Sequence, residues 1–257
     1  NVTGVSAGTA GITYSVNVAG CGSGFITTIV TVNPSPSPIG GTLSACPGTS
    51  TTLTDAGGGT WSCSNTALAT IGSSTGTATG VAAGTPRITY TLPVTGCFTT
   101  ALLTVNPLPQ PITGPTAVCA AGSTIGMNDA SLGGTWSSSS PSNATVSGTG
   151  VVTGVAAGPA TIVYTLPTGC AISTLITVNP LPSPIGGVAS ACEGFTTTLT
   201  NSGGGTWTTG NPSIASVVST SGVVTGVSAG TAAITYTLPT TCAISTNVVI
   251  NATPAPI

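Results

Sequence analysis

The chain has 257 residues, with one basic side chain (Arg87), three acidic ones (Asp55, Asp129, Glu193), no histidine, and 2% charged residues in all, against roughly 25% in an ordinary soluble domain. Phosphate-backbone binding needs several Lys or Arg, so nucleic acid is excluded as a partner, and anionic membrane surfaces lack the basic cluster they require. Three scattered carboxylates are poor material for acid–base catalysis or a calcium loop, so no enzyme, cofactor or metal site is expected.

Hydrophobic residues make up 40%, enough for packed cores and unlike a disordered composition. No apolar run approaches the roughly 18 residues of a spanning helix, so no membrane insertion is expected. No basic and then apolar leader follows Asn1; an export signal would have been removed or would lie upstream.

In chain order, the first recognisable segment is Val2-Thr3-Gly4-Val5-Ser6-Ala7-Gly8. It returns at 78–84, 152–158 and 224–230. Tyr14, Tyr90, Tyr164 and Tyr236 keep the same beat, and Trp61, Trp136 and Trp207 occur once per full unit. Proline-rich segments at 33–38, 106–111, 179–184 and 251–256 close each unit. The period is ~73 residues, too long for a solenoid rung and long enough for a small domain with its own core. The expected division is 1–37, the carboxy-terminal half of a unit; then full units at 38–110, 111–183 and 184–257, the last carrying the start of another linker. The open half at the start suggests an excerpt of a longer repetitive protein, or a subunit completed by a neighbouring chain.

Within each unit the signals are those of strands. Ile88, Tyr90 and Leu92 alternate with Arg87, Thr89 and Thr91, a period of two. The run 171–178 is rich in β-branched residues, and the glycine turns 57–59 and 203–205 break any helix. About seven short strands fit one unit, as in a β-sandwich. The tryptophan, mid-unit on the third strand, is expected between two sheets, with Leu53, Ile88, Tyr90 and Leu103 as partners in the first full unit. All three tryptophans and all four tyrosines, Tyr14 included, are expected in cores.

The run 221–235, Ser-Gly-Val-Val-Thr-Gly-Val-Ser-Ala-Gly-Thr-Ala-Ala-Ile-Thr, with Asn211-Pro212-Ser213-Ile214-Ala215 before it, resembles the signature of group 2 bacterial immunoglobulin-like domains. The resemblance recurs four times and covers the whole chain. It departs from the pattern in the shortness of the units and their near-lack of charge. It implies an all-β chain of tandem immunoglobulin-like sandwiches in a secreted or surface-exposed protein, acting as stalk, spacer or adhesive module, with no shared catalytic residues.

Asp55 and Asp129 precede their tryptophans by similar distances, and Asn201 holds the matching place in the last unit. Exchange of Asp with Asn argues for a turn role, the side chain bonding nearby backbone. Glu193 is expected to be solvated, and Arg87 to point outward with no repeated partner. Threonine-rich faces raise ice binding, against the ordinary use of Thr on exposed strands. Asn1, Asn143 and Asn251 head Asn-x-Thr triplets, so glycan modification is possible, although in a bacterial chain these read as chance.

Seven of the eight cysteines follow the repeat, which in an extracellular setting suggests disulfides. Cys46, Cys119 and Cys192 precede the second strand; Cys21, Cys97, Cys170 and Cys242 sit in the last hairpin. Cys63 stands where other units have Ser138 and Thr209 and is expected to remain a partly buried free thiol. In an up-down sandwich these two positions lie at opposite poles, roughly 20–25 Å apart, whereas a disulfide needs Cα atoms within about 7 Å. That favours Cys46–Cys170 and Cys119–Cys242, with Cys97 and Cys192 directed to units outside the sequence. Pairing within units (Cys46–Cys97, Cys119–Cys170, Cys192–Cys242) is the alternative.

Alternating prolines favour stiff linkers, so the units are expected to form a rod. With almost no charge, little repels a neighbour, and the sheet edges carry no Lys to block pairing. The function expected is a structural repeat protein, extracellular or at the cell surface, whose copies associate into a fibre or sheath. The alternative is the stalk of a surface adhesin presenting a separate tip.

Overall fold

The computed structural model describes residues 1–254, and no helix occurs among them. Residues 255–257, and with them Pro256 of the last linker, lie outside the described residues. The chain divides into two compact units: residues 1–108 with 167–170, and residues 109–166 with 171 onward.

The first unit opens with a hairpin of β1 (Gly8–Val18) and β2 (Gly22–Val32), paired antiparallel with Tyr14 opposite Ile26. There follow β3 (Gly40–Gly41), β4 (Ser44–Ala45), β5 (Ser50–Thr54), β6 (Thr60–Cys63), β7 (Ala69–Ile71), β8 (Thr77–Gly80), β9 (Arg87–Thr91), β10 (Phe98–Leu102) and β11 (Thr104–Val105). One sheet has the order β3-β5-β8-β7, a second β10-β9-β6, and β11 pairs with β4 in parallel. Since β10 and β11 are one strand interrupted at Leu103, the second layer reads β4, β10/β11, β9, β6. The alternation seen in the sequence becomes burial here: Ile88 and Tyr90 are buried on β9 while Arg87 is exposed. The cluster between the sheets contains Leu53, Trp61, Ala69, Ala78, Ile88, Tyr90, Leu103 and Val105.

The second unit repeats this plan twice. Its first set is β12 (Ala117–Cys119), β13 (Thr124–Gly126), β14 (Thr135–Ser138), β15 (Ala144–Val146), β16 (Val151–Gly154), β17 (Gly158–Thr165) and β18 (Ala171–Asn179). Its second set is β19 (Gly186–Gly187), β20 (Ser190–Cys192), β21 (Thr196–Thr200), β22 (Thr206–Thr209), β23 (Ala215–Val217), β24 (Val223–Gly226), β25 (Gly230–Thr237) and β26 (Ala243–Asn251). The sheet orders are β12-β18-β17-β14 with β13-β16-β15, then β20-β26-β25-β22 with β19-β21-β24-β23. Each set encloses its own cluster, one around Ile162 and Ile176, the other around Trp207, Ile234 and Tyr236.

The strands alternate in direction, but they are not paired in chain order as an up-down sandwich requires. β21 pairs with β19 and β24, and β22 crosses to the other sheet to pair with β25. These are the two sheets of an immunoglobulin-like sandwich, with the first strand split so that its second part joins the last strand in parallel.

Tyr14 corrects an expectation. It is 68% exposed, whereas Tyr90, Tyr164 and Tyr236 are 2%, 5% and 2% exposed. Among the described residues, β1 and β2 pair only with each other and no tryptophan-bearing strand lies beside them. Trp136 is also less enclosed than Trp61 and Trp207; it is half-buried at the margin of its cluster.

Candidate functional site

The chemistry-bearing side chains are few, and the structure does not gather them. Among the described residues, no three of Cys, Asp and Glu lie close enough together to hold a metal ion. Asp129 accepts the Ser131 N–H at 2.7 Å, and Asn201 accepts the Gly203 N–H at 3.3 Å. Both are side-chain turns two residues long. The carboxylate of Asp55 is enclosed with no hydrogen-bond partner, so the same turn is not made there.

Glu193 is partly exposed and has a backbone partner that the sequence does not suggest. Its Oε1 accepts the Ala229 N–H at 2.6 Å, fastening the loop after β20 to the turn before β25. Arg87 is exposed and its backbone N–H donates to Ser64 Oγ at 3.0 Å. Of the Asn-x-Thr asparagines, Asn143 has its amide committed to Pro159 O at 3.0 Å, while Asn1 and Asn251 are exposed.

What recurs is structural apparatus. Each tryptophan faces its tyrosine across a strand pair: ring centroids are 4.6 Å apart for Trp61–Tyr90, 4.8 Å for Trp136–Tyr164 and 4.7 Å for Trp207–Tyr236, with planes tilted 49–54°. Each tyrosine hydroxyl accepts a glycine N–H: Gly59 at 2.6 Å, Gly134 at 2.9 Å and Gly205 at 2.6 Å. The sequence carried the sign of this bond in the repeated Gly-Thr-Trp (59–61, 134–136, 205–207). The pattern was legible, but its partner was not.

The cysteines are the other recurring set. The structure bonds Cys46 to Cys170 and Cys119 to Cys242, each with Cα atoms 5.6 Å apart. Cys21 and Cys192 are exposed free thiols; Cys63 and Cys97 are half-buried ones. Strand pairing explains why Cys46 does not meet Cys97. Parallel pairing sets Ala45 beside Val105, and the Asn106 N–H donates to Ala45 O at 2.9 Å. Cys97 lies at the far end of that same strand, roughly 25–30 Å away at about 3.3 Å per residue. Cys170 instead comes beside Asn106, with its Sγ 3.7 Å from the Asn106 carbonyl oxygen.

Two further sets of residues position the cysteines and were not read as such in the sequence. Asn33, Asn106 and Asn179 open the proline-rich segments, and Asn106 and Asn179 lie beside Ala45 and Cys119. Gly80, Gly154 and Gly226 recur in the repeated segment, and a Cβ at any of them would overlap the carbonyl oxygen of Cys46, Cys119 or Cys192, respectively. Glycine there allows the cysteine backbone to lie flat on the neighbouring strand.

Residues 123–170 match the family model of the bacterial Ig-like domain (group 2). The match covers that segment alone; the fold of the whole, with two packed sheets in each complete repeat, is immunoglobulin-like and all-β. Among solved structures, the chain is similar to domains 1–6 of the surface layer protein SbsC, at 18% identity, covering 98% of this chain and 45% of that one, TM-score 0.27. It is similar to a C-terminal fragment of intimin, solved with the intimin-binding domain of its translocated receptor, at 19% identity, covering 56% and 64%, TM-score 0.34. It is similar also to invasin, a bacterial integrin-binding protein, at 15% identity, covering 89% and 62%, TM-score 0.37. The chain thus spans less than two thirds of each of these structures. No curated protein matches it.

Proposed function

We propose that the chain is a non-enzymatic structural segment of an extracellular or cell-surface protein, and that its copies associate into a fibre or sheath. The observation that carries this reading is the pair of overlapping disulfides. Cys46–Cys170 closes a loop of sequence separation 124 and Cys119–Cys242 one of 123, and residues 119–170 belong to both. Each joins the start of one repeat to the last hairpin of the next. The covalent path therefore runs through successive repeats by two routes. Such bonds belong to an oxidising compartment, and the device suits a part that must keep its length under tension.

Association of copies is supported by the exterior. The outermost strands β6, β7, β14, β15, β22 and β23 carry no charged residue, so unpaired backbone groups at the sheet edges are unprotected. Val94, Leu132, Phe98 and Phe195 are exposed. Attraction between such surfaces is apolar and backbone-mediated, so it should hold at high salt.

Electron microscopy of the purified chain tests this. Filaments of constant width, persisting in concentrated salt, are expected. Isolated single particles at all concentrations would favour the other reading, a stalk presenting a separate adhesive tip, and rapid dissolution by salt would count against apolar association.

A further inference from the structure

Asn201 ties its repeat to the proline-rich segment before it. Its Oδ1 accepts the Gly203 N–H at 3.3 Å, and its Nδ2 donates to the Ser183 carbonyl oxygen at 2.6 Å. One side chain closes a turn with its acceptor and holds the linker with its donor.

The other two complete repeats place an aspartate at that point. Gly186 pairs with Thr200, Gly40 with Thr54 and Thr113 with Asn128. Asn201, Asp55 and Asp129 directly follow the second member of those pairs, and Ser183, Ser37 and Gln110 stand three places before the first. The same register therefore brings Asp55 to Ser37 and Asp129 to Gln110 as it brings Asn201 to Ser183.

Asp129 makes the turn half of the contact, its Oδ1 accepting the Ser131 N–H at 2.7 Å. Its Oδ2, which holds the place of the Asn201 Nδ2, is enclosed and has no hydrogen-bond partner among the described residues. Both carboxylate oxygens of Asp55 are in that condition. An amide accepts and donates, whereas an ionised carboxylate only accepts, so it has nothing to offer a backbone carbonyl. An oxygen shut away from water without a donor is costly.

We propose that Asp55 and Asp129 are proton-operated latches on the linkers 33–38 and 106–111. A protonated carboxyl has the outline of an amide, one acceptor oxygen and one O–H donor. The proton comes from water in acid, and the O–H then donates to the carbonyl of Ser37 or Gln110, the bond that Asn201 makes to Ser183 at any pH. Loss of the proton breaks that bond and sets oxygen against oxygen. Two linkers are thus closed by acid and one is closed permanently, whether the assembled protein is a fibre or a stalk.

Few other groups can answer acid at these places. In 109–166 the other titratable side chains are Tyr164, whose hydroxyl is engaged by Gly134 and Ser131, and the disulfide-bonded Cys119. In the repeat of Asp55, Tyr90 lines the cleft beside it and accepts the Gly59 N–H, while Arg87 is exposed on the opposite face of β9. Cys46 is disulfide-bonded, Cys63 lies at the end of β6, and the Cys97 sulfur lies 4.0 Å from the Asn33 carbonyl oxygen. Phenols and thiols gain no charge in acid, and arginine keeps its own. Glu193 is bonded to Ala229 in the third complete repeat.

The test is amide exchange of the full chain, read residue by residue by NMR at about pH 7 and about pH 3 and corrected for the intrinsic effect of pH. Protection of Ile39–Gly41 and Ile112–Gly114 is expected to rise ~10-fold in acid, the worth of one hydrogen bond, and that of Ile185–Gly187 to stay level. Asp55→Asn and Asp129→Asn should give the high value at both pH values, and Asn201→Asp should transfer the acid response to 185–187. Unchanged protection of Ile88, Ile162 and Ile234 verifies that each variant is folded. No rise in the unaltered chain, a rise that survives in the two asparagine variants, or a level response in Asn201→Asp would overturn the proposal. So would equal protection from calcium chloride at neutral pH, which would assign the carboxylates to a metal ion.

Discussion

Trp207 and Tyr236 face each other in register across β22 and β25, their ring centroids 4.7 Å apart and their planes tilted by 53°. The tyrosine hydroxyl accepts the Gly205 N–H at 2.6 Å, so one side chain both packs the tryptophan and satisfies the turn that leads into the tryptophan's strand. Tilted aromatic pairs add about 0.5–1.5 kcal/mol beyond their buried area. Uncharged repeats have little else to specify which strands face each other, and the pair recurs in every complete one.

Trp207→Ala should cost its repeat about 3–5 kcal/mol through the cavity it leaves. Tyr236→Phe should cost about 1–3 kcal/mol, since the Gly205 N–H loses its acceptor. Several cores share one chain, so a single unfolding free energy is poorly defined, and amide hydrogen exchange is the suitable measurement. Protection should fall across 185–250 and stay unchanged across 39–105. A uniform loss over the whole chain would contradict separate cores.

The overlapping disulfides should be visible under force. Pulled from residue 46 to residue 242, the oxidised chain can extend only along 119–170, about 50 residues, because the two bonds bypass the rest. Reduction should release about 145 further residues, on the order of 500 Å of contour length at about 3.4 Å per residue. Single-molecule extension before and after reductant reads this directly, and equal contour lengths in both states would exclude the crossed arrangement. In equilibrium terms each closed loop should stabilise by about 5 kcal/mol in the chain-entropy model, the two being non-additive because they overlap.

Trypsin has one cleavage position, after Arg87. That bond lies in β9, paired on one side with β6 and on the other with β10, so cutting requires local opening. Slow cleavage is expected. Its two products, 1–87 and 88–257, should run as one species until reductant breaks Cys46–Cys170. Separation of the fragments without reductant would rule that bond out.

Gly154→Val should interfere with the second disulfide without touching either sulfur. A side chain there meets the Cys119 carbonyl and would push the β12 backbone off the neighbouring strand. Non-reducing mapping should find a larger share of Cys119 and Cys242 as free thiols. Gly148→Ala, where nothing lies within 4 Å of the added carbon, should leave the bond intact.

Strand content and the buried faces of the complete repeats were legible in the sequence because a period-two pattern repeated several times leaves little freedom about which side chains face inward. The choice of Leu53, Ile88, Tyr90 and Leu103 as neighbours of Trp61 rested on that periodicity, and all four lie in one cluster. The order of strands within each sheet was not legible. Any order that buries the same faces satisfies the same alternation, and crossing between sheets depends on loops that carry no pattern of their own. The bond from Tyr236 to Gly205 and the carbonyl of Cys192 over Gly226 were hidden for the same reason, since each joins positions roughly 30 residues apart that meet only once two sheets have closed.

The sequence by itself therefore determined that this is a chain of near-neutral β-repeats with cysteines at two fixed positions. Only the tertiary structure decided what those positions do. Parallel pairing of the split first strand with the last one carries Cys46 to the end of its repeat opposite Cys97 and beside Asn106. Among the described residues Tyr14, which has the sequence pattern of its three counterparts, is exposed: a residue is buried by what covers it, and the local pattern does not name the cover.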